Sequence, residues 1–151
     1  MRYFLDTEYN GFGGALLSLA LVPEDGSEEF YVTLDHDGEV DSWVERHVIP
    51  YLDMVPASMV SPRLSRRAAA EALASWLAHD EAPDIVADWP EDLAQLAMLL
   101  VTGPGMMVTV PPLSLHLIPL GGFSTAANSV VPHNALHDAR ALRDHVMGLE
   151  P

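Results

Sequence analysis

Asp6 and Glu8 stand two residues apart in Asp6-Thr7-Glu8, directly after the apolar run Tyr3-Phe4-Leu5. Residues at that spacing on an extended strand point the same way, so both carboxylates share a face. Neighbouring carboxylates repel unless a cation sits between them, and oxygen-rich ligation suits Mg²⁺ or Mn²⁺. A second acidic group, Asp88-Trp89-Pro90-Glu91-Asp92, offers Asp88 at the end of an apolar run and Asp92 about one helical turn further on. The plainer role for such acids is to complement a helix N-terminus, which fits Glu91 and whichever aspartate holds no ion. The third group is His133-Asn134-Ala135-Leu136-His137-Asp138-Ala139. A histidine there, near a carboxylate, can take a proton from a water molecule. Its plainer reading is a helix cap followed by a solvated acid.

The elements that must position these groups follow from pattern and punctuation. Arg2–Thr7, Ala15–Val22 and Glu29–Leu34 read as strands, the last two joined by Pro23-Glu24-Asp25-Gly26 in a hairpin. Asp41–Leu52 has a short helical pattern broken at Pro50, and Ser65–His79 is an alanine-rich helix with a serine cap. Pro83–Trp89 is a strand, Glu91–Val101 a helix opened by Pro90, and Leu113–Leu120 a fifth strand. The last helix runs from about Asn134 to Met147, closed by Gly148; Ala135 and Ala139, one turn apart, allow close packing on the sheet. Trp43, Trp76 and Trp89 are expected as core anchors. A strand meander followed by alternating helices and strands implies an α/β fold with a mixed sheet and helices on its faces.

The bulk composition limits the alternatives. With 151 residues and 49 % hydrophobic content, the chain suits one domain spanning 1–151. No run approaches the roughly 18 apolar residues of a membrane span, and Asp6 comes too early for a signal peptide, so a cytoplasmic protein with no membrane partner is expected. The absence of cysteine excludes disulfides and thiolate metal sites. Twenty-two acidic residues against seven basic ones give a net charge of −15. That balance opposes phosphate binding through a basic stripe, unless bound cations invert the local field. Arg63, Arg66 and Arg67 form the basic cluster, either as phosphate contacts or as helix-surface arginines paired with acids such as Glu71. Tyr9-Asn10-Gly11-Phe12-Gly13-Gly14 offers flexible backbone and two aromatics that could stack on a base.

Taken together, Asp-x-Glu in the first strand, a central Asp and His-x-Ala-x-x-Asp at the end resemble the DEDDh branch of the DEDD 3′→5′ exonucleases. The opening through Tyr9 and Ser42-Trp43-Val44 most resemble small bacterial, mycobacterial-type exoribonucleases of that branch. The resemblance runs from Arg2 to about Val146. It implies a ribonuclease-H-like, mixed five-stranded sheet (a three-strand antiparallel meander plus βαβα) with helices on both faces. It also implies Asp6, Glu8, Asp92 and Asp138 as ligands of two Mg²⁺ or Mn²⁺ ions, with His133 as general base. In the family's central block, Asn precedes an aromatic residue and the Asp. Here Asp88 holds the Asn position and Glu91 that of the aromatic, which leaves Asp88 as the alternative to Asp92. Thr7, Tyr9, Phe12 and Arg66 are the candidate substrate contacts. The expected partners are 3′ ends of single-stranded RNA, with DNA as the competitor, and a second copy in a homodimer. The expected products are nucleoside 5′-monophosphates. A non-catalytic metal-binding or nucleic-acid-binding module on the same fold is the alternative.

Overall fold

A computed structural model describes residues 1–149. Three strands come first: β1 (Arg2–Tyr9), β2 (Leu16–Pro23) and β3 (Phe30–Thr33). They form an antiparallel meander, with Phe4 opposite Val22 and Leu19 opposite Val32. The chain then makes a short helix α1 (Ser42–His47), two 3₁₀ turns at Ile49–Tyr51 and Ala57–Met59, and helix α2 (Arg66–Leu77). Next come β4 (Asp84–Ala87), α3 (Pro90–Leu100), a small hairpin β5 (Val101–Gly103) with β6 (Met106–Met107), and β7 (Ser114–Leu117). A four-residue helix α4 (Thr125–Asn128) and the long α5 (Ala135–Leu149) complete the described residues.

The main sheet has the order β3-β2-β1-β4-β7. β4 runs parallel to β1, and β7 runs parallel to β4. This mixed five-stranded sheet carries helices on both faces, because β1 and β2 bury alternate residues on opposite sides. Leu5, Leu19 and Leu21 pack with Ala69, Ala70, Leu73 and Leu77 of α2 and with Leu96 and Leu99 of α3. On the other face, Ala20 and Val22 meet Ala135, Leu136 and Ala139 of α5, while Phe4 and Val86 meet Leu142 and Val146. The helices carry their apolar residues at the spacing of one helical face, and Ser65 caps α2 through the Ala68 N–H. A bulge in β2 leaves Leu17 without a partner on β1, between Ser18 and Leu16. Leu17 instead packs on Val44, Val48 and Leu52 of the α1 segment.

Several boundaries differ from expectation for physical reasons. Leu113–Leu120 shortens to Ser114–Leu117, since Pro119 cannot donate to a ladder. Val101 leaves α3 for an extended conformation, and Gly103 and Gly105 turn the chain into the β5–β6 hairpin, unforeseen in the sequence. Gly148 does not close α5, which continues to Leu149. Trp76 packs at the core edge on Tyr3 and Phe30. Trp43 and Trp89 are not core anchors; they are 46 % and 51 % exposed.

Ala139 is fully buried in the α5–sheet seam beside Ala20. Ala139→Leu should therefore cost about 1–3 kcal/mol by overpacking, read from urea unfolding. An unchanged midpoint would show that the seam has room to spare.

Candidate active site

β1 outruns its parallel neighbour. Its pairing with β4 covers Arg2 to Phe4, whereas Asp6, Thr7 and Glu8 pair with β2 alone. The side of β1 that faced β4 is open beyond Phe4, and Asp92 from the first turn of α3 fills it. Its Oδ1 accepts from the Thr7 N–H at 3.1 Å and from Thr7 Oγ1 at 2.5 Å. Thr7 is buried at 5 % exposure, and its hydroxyl is engaged by a carboxylate rather than turned to solvent. Asp6 and Glu8 occupy the same strand face as Phe4, the face covered by α5, and both are buried.

The start of α5 brings the remaining groups. Asn134 caps the helix, accepting from the N–H groups of Leu136 and His137 at 3.1 and 3.3 Å. His133, just before the cap, has φ of 60°, a left-handed conformation that L-residues with a Cβ disfavour by about 1–2 kcal/mol. Its N–H donates to Asp138 Oδ2 at 3.2 Å. Asp138 is therefore no solvated acid: it is 3 % exposed, and its Oδ1 is buried without a hydrogen-bond partner. Asp6, Thr7, Glu8, Tyr9, Asp88, Asp92, His133 and Asp138 line one cavity of about 330 Å³.

Burial dominates the electrostatics. It pushes the Asp6 and Glu8 carboxyls well above their ordinary range, and the carboxylates of Asp92 and Asp138 push them further. Asp92 rises to about 7, chiefly by burial and against the opposing Thr7 hydrogen bonds. Asp138 rises to about 6, again by burial, opposed by hydrogen bonds from Ser129 and the His133 N–H. Burial also raises Asp88, at the cavity wall. His133 is lowered, first by burial and then by His47, which favours its neutral, proton-accepting form. Carboxylates clustered without a counter-charge are a poor arrangement for a metal-free protein and a good one for a hard divalent cation. One ligand atom each from Glu8, His133 and Asp138 can be chosen so that all lie within 4.8 Å of one another, and the unpartnered Asp138 oxygen is a ready donor.

A second cavity of about 550 Å³ adjoins the first, sharing Thr7, Glu8, Tyr9 and His133. Its far walls are Gly11, Phe12, Asp41, Trp43, Val44 and Val48. Phe12 is 87 % exposed at the tip of the loop after β1. That loop is fastened on both flanks. Glu91 accepts from the Gly13 N–H and Gln95 donates to the Gly14 carbonyl, while Asn10 bonds the backbone of Glu39 and Asp41. Glu91 thus acts as a loop anchor, beyond the helix-end role its position suggested. Arg66 is not among the residues lining either cavity; with Arg67 it lines a separate depression beside Leu99, Val101 and Thr102. Arg63 pairs with Asp53, and Arg67 with Glu71.

No protein-family model matches the chain. Two curated proteins from strains of Mycobacterium tuberculosis, each named a 3′-5′ exoribonuclease, are 44 % identical to it over 63 residues. The matched stretch is 40 % of this chain and 37 % of the length of those relatives. No helix among the described residues is long and apolar enough to cross a membrane.

The carboxylates bind protons more tightly folded than unfolded. Their contribution to stability is present below the ordinary carboxylate range and is lost as pH rises through the folded values of about 6 and 7 for Asp138 and Asp92. The metal-free protein should therefore melt higher near pH 5 than near pH 8, and Mn²⁺ should raise the melting temperature most at the higher pH. Asp92→Asn, which keeps an acceptor for Thr7, should raise the metal-free melting temperature near pH 8 by on the order of 2–4 °C. Scanning calorimetry checks both, and a variant that melts lower would contradict the repulsion.

Proposed function

We propose that this chain is a divalent-cation-dependent 3′→5′ exoribonuclease of the DEDDh type on a ribonuclease-H-like fold. The observation that carries the reading is the convergence of Asp6, Glu8, Asp92, Asp138 and a histidine favoured in its neutral form on one cavity. The exoribonuclease names of the two mycobacterial relatives support it over their matched stretch. The order of the five-stranded sheet is compatible with the fold.

Asp6, Glu8, Asp92 and Asp138 would hold two Mg²⁺ or Mn²⁺ ions. Such ions supply positive charge to the scissile phosphate and its leaving oxygen, and make water easier to deprotonate. The protein's own groups do the rest. Thr7 holds Asp92 from behind, so that its carboxylate faces the cavity in a fixed position. The neutral His133 imidazole, which lines both cavities, accepts the proton of the water that attacks the terminal phosphodiester. The bond to the 3′-oxygen of the penultimate nucleotide breaks, and a nucleoside 5′-monophosphate leaves. Tyr9, Phe12 and Trp43 frame the larger cavity, whose volume suits a single unstacked nucleotide. Such an enclosure favours a free single-stranded 3′ end.

The test is incubation with 5′-labelled single-stranded RNA and the matching DNA, in Mg²⁺, Mn²⁺ or EDTA. Wild type should give a ladder shrinking from the 3′ end of RNA, abolished by EDTA and by Asp6→Ala. His133→Ala should slow it by about 10²–10⁴-fold. RNA left intact in both metals would overturn the reading, and DNA cut faster than RNA would reassign the substrate.

A further inference from the structure

Asn134 is the x of His-x-Ala-x-x-Asp, a position the motif leaves unspecified, and its side chain is fully buried. Its Oδ1 caps α5, a task that serine or aspartate performs equally well. Its Nδ2 does something a capping carboxylate cannot do and a serine hydroxyl is too short to do while it caps: it donates to the Tyr51 carbonyl at 2.8 Å, across 83 positions of sequence. Two further side chains grip the same segment. Tyr31 Oη donates to the Leu52 carbonyl at 2.7 Å, and His137 Nε2 lies 2.9 Å from the Met54 carbonyl. The segment gripped in this way continues from α1, which carries Trp43. Val44, Val48 and Leu52 press it onto Leu17.

Trp43 is the aromatic neighbour of His133. The two rings meet edge to face at 4.9 Å between centroids and an angle of 80°. The imidazole therefore depends on two elements remote in sequence, the start of α5 for its backbone and α1 for its ring contact. Resting on the activity proposed above, we propose that Asn134 is a positioning residue whose amide locks the α5 start to the Tyr51 carbonyl and so sets the His133 ring against Trp43 and the acid cluster. Asparagine meets both demands because one end of its amide accepts and the other donates.

Asn134→Asp separates the two roles. It keeps the volume and the cap but replaces the donor with an oxygen facing the Tyr51 carbonyl oxygen. The readout is NMR of the His133 ring, assigned with His133→Gln, beside melting temperature, Mn²⁺ binding by calorimetry, and steady-state kinetics on RNA. Folded Asn134→Asp should bind Mn²⁺ as wild type does. Its His133 ring protons should lose the ring-current shift from Trp43, and kcat should fall on the order of 10²-fold with KM little changed. An unmoved His133 resonance with unchanged kcat would overturn the proposal, as would a loss of rate merely proportional to the unfolded fraction. Asn134→Ser, an uncharged cap whose shorter side chain lacks the amide that reaches the Tyr51 carbonyl, gives the same comparison should the aspartate variant fail to fold. If wild type proves inactive, the activity reading falls, and the NMR comparison alone still decides whether Asn134 positions His133.

Discussion

Mutual repulsion among buried carboxylates is the constraint that the rest of this structure answers. Asp6, Glu8, Asp88, Asp92 and Asp138 line one small cavity, and among the described residues no arginine lines it with them. Left to themselves, such groups would separate, hydrate or take up protons. The fold prevents separation by mounting each on an element with little freedom to move. Asp6 and Glu8 belong to a central strand paired with β2 from Tyr3 to Tyr9. Asp138 sits on a helix drawn close to the sheet by Ala135 and Ala139. Asp92 is latched by Thr7 through both a backbone and a side-chain donor. Preorganisation of this kind costs stability in the empty site and gives a cation a ready set of ligands.

The same constraint bears on how so acidic a chain could take the phosphate-bearing substrate proposed for it. Arg2, Arg63, Arg67, Arg140 and Arg143 each form an ion pair with an acid, so much of the small arginine complement is already engaged within the protein. On the proposed function, attraction for a nucleic-acid end would fall to cations held by the cluster, and shape selection to the adjoining cavity. Stiffness matters there too. The Asn10–Gly14 loop is fastened to α3 on one flank and to Glu39 and Asp41 on the other, so Phe12 projects from a supported turn. An aromatic presented in this way loses little freedom when a base stacks on it.

How much of this was legible in the sequence depends on how local each signal is. The period of a strand placed Asp6 and Glu8 on one face, and alanines one turn apart placed α5 against the sheet; both follow from short-range geometry. The β2–β3 hairpin and the mixed character of the sheet followed from turn residues and element order. The latch between Asp92 and Thr7 was not legible, because the two residues stand 85 positions apart. The role of Asn134 was hidden for the same reason, since its partner is the Tyr51 carbonyl. Trp43 and Trp89 misled because size argues for burial, while cavity walls also use large aromatics. The β5–β6 hairpin is made by two glycines inside an otherwise apolar stretch, a pattern that also fits a loop.

The central claim is that the carboxylate cluster is a divalent-cation site arranged for a nucleic-acid 3′ end. Its most direct test is anomalous diffraction at the manganese edge from crystals soaked in Mn²⁺ with a short non-hydrolysable RNA. The account predicts manganese peaks enclosed by Asp6, Glu8, Asp92 and Asp138, with the terminal phosphate against them and the last base between Phe12 and Trp43. Manganese found elsewhere, with the cluster empty and the RNA on another surface, would contradict it.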